Sequence, residues 1–212
     1  MSDTNIKVLT PATTFDLLTL DEYKLASNIS PNDNSQDARI AQLITRFSDV
    51  VAVSCNRVFG RETVQETWRD LESRRVYLSH WPAKREDITA IECPRGTLIT
   101  DDGWEFEEWS GKVELFSSQT EPIVVTYTGG YNLPDDAPPA LKQATELLIR
   151  EGQAMAARME TSGIRSISHK EARVMFFDPM AASRGKAPGG AGGSPAMIAA
   201  HNLLMRYTRF PC

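Results

Sequence analysis

Three histidines, three cysteines and one acidic cluster are the residues on which chemistry could rest in this 212-residue chain. His80, His169 and His201 lie far apart, and none belongs to the HExxH pair that puts two imidazoles on one helix face. His80 precedes Trp81-Pro82 and is expected to pack at a strand end. A hydrolase that pairs His80 with a carboxylate is the enzymatic alternative; its signature would be a pocket gathering His, carboxylate and backbone donors. Cys55, Cys93 and Cys212 are odd in number, widely spaced and form no CxxC, so neither a disulfide framework nor a zinc site is expected. Cys55 has no histidine beside it and reads as a buried, inert thiol. Asp101, Asp102, Glu105, Glu107 and Glu108 could offer oxygens to a hard cation, but the order of an EF-hand loop is absent. Trp104 and Trp109 flank that cluster. A metal- or sugar-binding β module is therefore a second alternative, and a calcium-dependent thermal shift would favour it.

Phosphate chemistry finds no foothold. There is no GxxxxGK[ST] and no GxGxxG, and the Gly189–Gly193 run follows no strand. No GxSxG elbow presents a nucleophilic serine. The formal charge of −5 disfavours wrapping nucleic acid, which needs clustered Lys and Arg to displace counterions. It is compatible with letting DNA pass without gripping it. No run of about 18 apolar residues is present to span a membrane. The N-terminus lacks a basic start followed by an apolar run, so no secretory signal is expected. The thiols suit a reducing cytoplasm.

The elements that would position these residues are legible in the periodicity. Residues 1 to 18 read as an extended arm. Thr19-Leu20-Asp21-Glu22 is a capping box opening a short helix over 20–28. Ser30 to Asn34 is a turn. Ile40, Leu43, Ile44, Phe47, Val50, Val51 and Ser54 form one apolar stripe on a helix over 35–57, with Gly60 as its stop. From Glu62 the period shortens to two. Strands are expected around 64–70, 76–78, 88–91, 97–99, 104–106, 113–115 and 123–127, separated by Pro and Gly turns. A third helix is expected over 137–160, carrying Leu141, Ala144, Leu147, Leu148, Glu151 and Met155 on one face. Residues 163 to 177 resemble a hairpin or arm. Ser183 to Pro195 is rich in Gly, Pro, Ala and Ser, the composition of a flexible linker spanning roughly 20 Å on average. Beyond it Met197, Ile198, Leu203, Leu204 and Tyr207 suggest one more short helix, marginal on its own in water. With no obvious core to join, it is expected to order by docking into another protein's groove; packing back onto its own domain is the competing arrangement.

The expected fold class is α+β: a small helical bundle core with an inserted antiparallel β module and a flexible C-terminal tail. Its divisions are an arm and helices over 1–61, the β module over 62–131, a core helix and arm over 132–182, and a linker with docking segment over 183–212.

In this order the pieces resemble a known family. They are Leu9-Thr10-Pro11-Ala12 with Asp16 to Glu22, the helix ending Cys55-Asn56-Arg57-Val58-Phe59, Glu62 to Thr67, Leu78-Ser79-His80-Trp81-Pro82, Val125 to Tyr131, and Pro138 with the helix from Leu141. The chain resembles the head–tail connector, or adaptor, proteins of tailed bacteriophages and gene transfer agents, over about residues 7 to 177. The resemblance implies a non-catalytic structural subunit without cofactors or metal. It implies a homo-oligomeric ring, with twelve the expected number, beneath the portal protein. A downstream neck or tail-completion protein would bind on the other side, and DNA would pass through the lumen. The location implied is the virion, after assembly in the host cytoplasm. Portal contact is carried onto Leu203, Leu204, Arg206, Tyr207, Arg209 and Phe210. Trp104 and Trp109 are candidate subunit-interface residues on the β module.

Overall fold

A computed structural model describes residues 3–69, 74–116, 122–160, 166–169, 172–175 and 194–209. Its helices are α1 (Leu20–Ala26), α2 (Asp37–Cys55), α3 (Pro139–Glu160) and α4 (Pro195–Leu204). Its strands are β1 (Asp3–Thr10), β2 (Glu62–Arg69), β3 (Arg75–Tyr77), β4 (Ile88–Glu92), β5 (Trp104–Glu107), β6 (Lys112–Leu115), β7 (Ile123–Gly129), β8 (Ser166–His169) and β9 (Ala172–Met175). The α+β class is as expected. Among the described residues no helix is long and apolar enough to cross a membrane.

The capping box forms as the sequence predicts. Glu22 N–H donates to Thr19 Oγ1 at 3.1 Å, and Thr19 N–H donates to Glu22 Oε2 at 2.9 Å. Glu22 also takes a 2.5 Å ion pair from Lys142, which ties α1 to α3. Burial opposes ionisation of Glu22, but the Lys142 and Thr19 contacts prevail and hold its carboxyl below the usual range. Glu22→Ala should cost about 0.5–1 kcal/mol, kept small because the pair is part-exposed. A depressed carboxylate stabilises above its unfolded pKa and loses that contribution as pH falls through the folded value. Melting curves of the two proteins should therefore differ at pH 7 and converge toward pH 3; a constant gap would refute this role.

Helix α2 buries Ile40, Ile44, Ser48, Val51 and Cys55. The expected stripe is shifted, for Val50 and Ser54 are exposed. Ser48 turns inward because its Oγ accepts the Leu17 N–H at 2.9 Å, satisfying a buried backbone donor of the incoming arm. The helix stops before Gly60. Asn56 takes a left-handed conformation (φ 51°) and caps the C-terminus. Lys24, 2% exposed, reaches Asp37 at 2.6 Å and locks α1 against the start of α2. Leu18, Tyr23, Ile40, Ile44 and Ile149 form the core where α1, α2 and α3 meet.

The β module holds two antiparallel sheets, ordered β1-β2-β7-β4 and β3-β6-β5. Their shared core includes Val64, Trp68, Val76, Ile91, Trp104, Phe106, Val113, Val125 and Tyr127. The N-terminal arm is extended as expected, and it is a strand: β1 pairs along β2 from Asp3↔Arg69 to Thr10↔Thr63. The 97–99 stretch makes a single bridge, Glu92↔Leu98, in place of the expected strand. Strands β8 and β9 form the expected hairpin. Ile164, Phe176, Phe177 and the 183–193 part of the expected linker lie outside the described residues.

Module meets bundle at a short parallel bridge, Gly60↔Tyr131. Gly130 has φ +107°, and its N–H donates to Pro82 O at 2.8 Å. A Cβ there would sit 2.3 Å from Gly60 O, and one on Gly129 would sit 1.9 Å from His80 O. Only glycine permits these two backbone approaches.

Candidate interaction surfaces

The period of two along β2 points Glu62, Val64, Glu66 and Trp68 inward. Two carboxylates thus enter the module beside His80. His80 Nε2 lies 3.0 Å from Glu62 Oε2, and His80 Nδ1 lies 3.7 Å from Glu66 Oε1. Glu66 is fully buried and accepts from Tyr127 Oη, from Ser79 N–H at 3.0 Å and from Ser79 Oγ at 3.2 Å. The Tyr127 hydroxyl in turn accepts His80 N–H at 2.8 Å. Burial, reinforced by the Glu66 charge, drives Tyr127 far above the ordinary tyrosine range. Histidine, carboxylate and serine are gathered here, yet Ser79 donates to Glu66 and not to the imidazole. Two cavities lined by described residues lie elsewhere, one beside Tyr23 and Arg150, the other between α2 and α3. Most of the cluster's polar groups are committed to one another, His80 Nδ1 being a buried atom without a hydrogen-bond partner among the described residues, and this network supports a lock for the 78–82 loop.

Arg57 extends this lock to the bundle. Its guanidinium donates to Trp81 O and, at 3.5 Å, to Tyr207 O. It lies 5.4 Å from the Phe59 ring centroid and 5.2 Å from that of Trp81. Burial lowers its pKa. One side chain therefore touches the module loop, the end of α2 and the C-terminal segment. The sequence reading missed it, although a basic residue with Phe59 two positions on was a visible signal.

The C-terminal segment has a core of its own to join, which overturns the premise that it lacks one. Helix α4 packs on α3. Ala200 and Leu204 are buried with Leu17, Val51, Cys55, Phe59, Leu141 and Ala144. Tyr207 meets Phe59 edge-on at 6.4 Å between centroids. Arg209 N–H donates to Cys55 O at 2.9 Å, and Cys55 Sγ donates to Leu204 O at 3.8 Å. Burial pushes the Cys55 thiol up, as an inert buried cysteine requires. Of the residues assigned to portal contact, Leu204 and Tyr207 pack against the segment's own subunit. Leu203 and Arg209 are half-buried, Arg206 is exposed and Phe210 lies outside the described residues. An apolar face looks alike in sequence whether it covers its own bundle or a partner's, so spacing alone could not separate the two.

The two candidate interface tryptophans also part company. Trp104 is buried in the module core, with the Arg85 guanidinium 4.1 Å over its ring, so it presents no surface to a neighbour. Trp104 and Phe106 share the inward parity of β5. Trp109 lies beyond the strand on the β5–β6 turn and is 77% exposed. Among the described residues no group of three or more His, Cys, Asp or Glu is arranged to hold a metal. Glu107 is held by Ser110 Oγ at 2.6 Å and by Lys112 at 3.5 Å. Its pKa is lowered chiefly by the Ser110 hydrogen bond. The metal-binding alternative thus finds no constellation in the acidic turn.

Comparison with known proteins gives this geometry a family. No curated protein sequence matches the chain. Solved structures match along almost its full length. One, described as "Neck of empty GTA particle computed with C6 symmetry", has a TM-score of 0.59 at 12% identity, covering 98% of this chain and 97% of that one. A second, "Virion of native gene transfer agent (GTA) particle", gives 0.57 at 13%, covering 98% and 96%. A third, "Neck of native GTA particle computed with C12 symmetry", gives 0.54 at 13%, covering 98% and 97%. At these identities the likeness establishes the fold. The sequence model described as "Head completion protein" matches residues 16–151, which span α1, α2, strands β2 to β7 of the β module and most of α3. The chain belongs to the head completion protein family.

Proposed function

We propose that this chain is a structural subunit of a phage or gene-transfer-agent neck, a ring that joins the portal to the next neck or tail component. The observation that carries the reading is the family match across bundle and β module together, with a fold shared along 98% of the chain with proteins of such necks. Twelve copies is the number proposed, in keeping with the twelve-fold symmetry applied to one matching particle. A −5 chain repeated around a ring gives an assembly of net negative charge, which is compatible with DNA that must slide without being held. Particle localisation, assembly in the host cytoplasm and a tail-side partner belong to the same proposal.

Portal contact at the C-terminus takes a changed form. Leu204 and Tyr207 fix the segment to the parent bundle, so Arg206, Arg209 and the residues from Phe210 onward are the ones proposed to reach the portal. Each contact alone is weak; repetition around a ring multiplies it through effective concentration. The test is mass measurement and electron microscopy of the full chain with and without the portal from the same genome. A ring bound to the portal, weakened by Arg206→Glu with Arg209→Glu, is the expected result. A chain that stays monomeric beside portal at every concentration overturns the proposal.

A further inference from the structure

Two surfaces on opposite modules of this chain complement one another. The first is a knob. Trp109 projects from the β5–β6 turn at 77% exposure. Asp101, Asp102, Glu105 and Glu108 are exposed around that end of the module and form no ion pair among the described residues. Lys112 offsets only Glu107 and Glu114. The turn is held firmly from behind. Trp81 Nε1 donates to Glu108 O at 2.7 Å, Gly111 N–H donates to Glu107 O at 2.9 Å, and Gly111 (φ +69°) packs on the Trp81 ring. An exposed tryptophan on an already ordered turn is preorganised for binding, because little freedom remains to be lost.

The second surface is a hole. A groove of about 360 Å³ lies between α2 and α3, a volume within the range of sites that take a small aromatic body. Its walls include Phe47, Val50 and Ala156, and its rim carries Arg39 and Arg46. Gly152 lets the Phe47 ring lie against α3 as one wall of the groove, since a Cβ there would come 2.5 Å from Phe47 Cζ. Arg39 and Arg46 stand two turns apart on α2, both exposed, and neither forms an ion pair among the described residues. An apolar hole with a cationic rim faces an aromatic knob with an anionic surround.

We infer that Trp109 of one copy seats in the α2–α3 groove of a second copy, with the acidic end of the module against Arg39 and Arg46. Knob and hole occupy different parts of the chain, so the contact is head-to-tail. Such a contact repeats around an axis and closes a ring when the rotation allows. A central aromatic anchor with a charged rim is the usual division between affinity and steering. The inference rests on the ring proposed above and names the surfaces that build it.

The test uses two full-length variants in a Cys212→Ser background, where Cys55 and Cys93 are buried. One carries Ser110→Cys beside the knob, the other Asp49→Cys beside the groove. They are mixed with portal and treated with a short bis-maleimide. A heterotypic dimer should dominate. Its yield should fall at least tenfold with Trp109→Ala on the first chain or Arg39→Glu with Arg46→Glu on the second. Glu105→Lys with Glu108→Lys on the first chain should recover most of the loss from the arginine reversal. Homotypic products alone, or no product, overturn the contact; so does a groove found covered by the chain's own 176–193 segment. Ring mass is read in parallel. A ring without the heterotypic link refutes this contact and leaves the ring, whereas the link without a ring refutes the ring and leaves the contact.

Discussion

Replacing Leu204 by aspartate should release the C-terminal segment from its own bundle and lower the melting temperature by about 5–15 °C. Leu204 is 6% exposed in a cluster with Leu17, Val51, Cys55, Phe59, Leu141 and Ala144. Truncating a buried leucine to alanine costs about 2–5 kcal/mol, and a carboxylate at that site costs more than its burial can return. The loss has a ceiling, because the segment can undock while the rest of the bundle stays folded. Once it is released, Tyr207→Ala added to Leu204→Asp should cause almost no further loss, and deletion of 194–212 should match the single variant. Non-additivity of that kind is the signature of one cooperative docking unit. A second readout is chemical. Cys55 lies beneath Leu204 O, so its thiol should react with a labelling reagent many times faster in the variant, measured in a Cys212→Ser background. Unchanged melting and unchanged Cys55 reactivity would place the resting position of the segment somewhere other than on this subunit.

What could be read from the chain beforehand divides along a physical line. The Thr19–Glu22 capping box is local: its partners are three residues apart, and the sequence contains all of it. The alternation along β2 is local as well, so the inward slots of Val64, Glu66 and Trp68 follow from parity. Parity also separates Trp104, in step with Phe106, from Trp109 on the turn, a distinction available in the sequence but not drawn. The choice of Val51 over Val50 on α2 is different. Both are valines one step apart, and the arm packed on the helix decides, with Leu17 N–H calling Ser48 inward. Glu66 announces itself as a charge in an inward slot, but its partners do not. Ser79 and Tyr127 stand 13 and 61 residues away and arrive only through sheet register. The α2–α3 groove needs both helices in place before it exists. The resemblance to the family, in contrast, was legible in ordered fragments such as Leu78 to Pro82 and Val125 to Tyr131, which lie where the β module meets the bundle.

Those junctions make Glu66 the residue whose loss should be felt furthest. Glu66→Leu keeps the volume roughly while stripping acceptors from Tyr127 Oη, Ser79 N–H and Ser79 Oγ. Buried donors left without partners cost about 1–3 kcal/mol each, and breaking a buried charged network costs about 3–5 kcal/mol. Denaturant unfolding of the full chain should show a loss in that upper range. Glu66→Gln retains one oxygen and should lose about half as much. Tyr127→Phe removes both the donor to Glu66 and the acceptor for His80 N–H, which sits at 2.8 Å. Combining it with Glu66→Leu should cost less than the two losses added, by about 1–3 kcal/mol, because they dismantle one network. Additive losses would mean that the contacts are independent and the lock is not cooperative. The consequence for assembly follows from position. The cluster holds the 78–82 loop, Gly129 packs on His80 O, and Arg57 reaches Trp81 O from the bundle. Loosening it frees the β module to tilt against α2 and α3. In the proposed ring that tilt sets the angle between knob and groove, and a small angular error per subunit accumulates around the circle. Glu66→Gln, folded but loosened, should therefore form open or heterogeneous arcs with portal under conditions in which the unaltered chain closes.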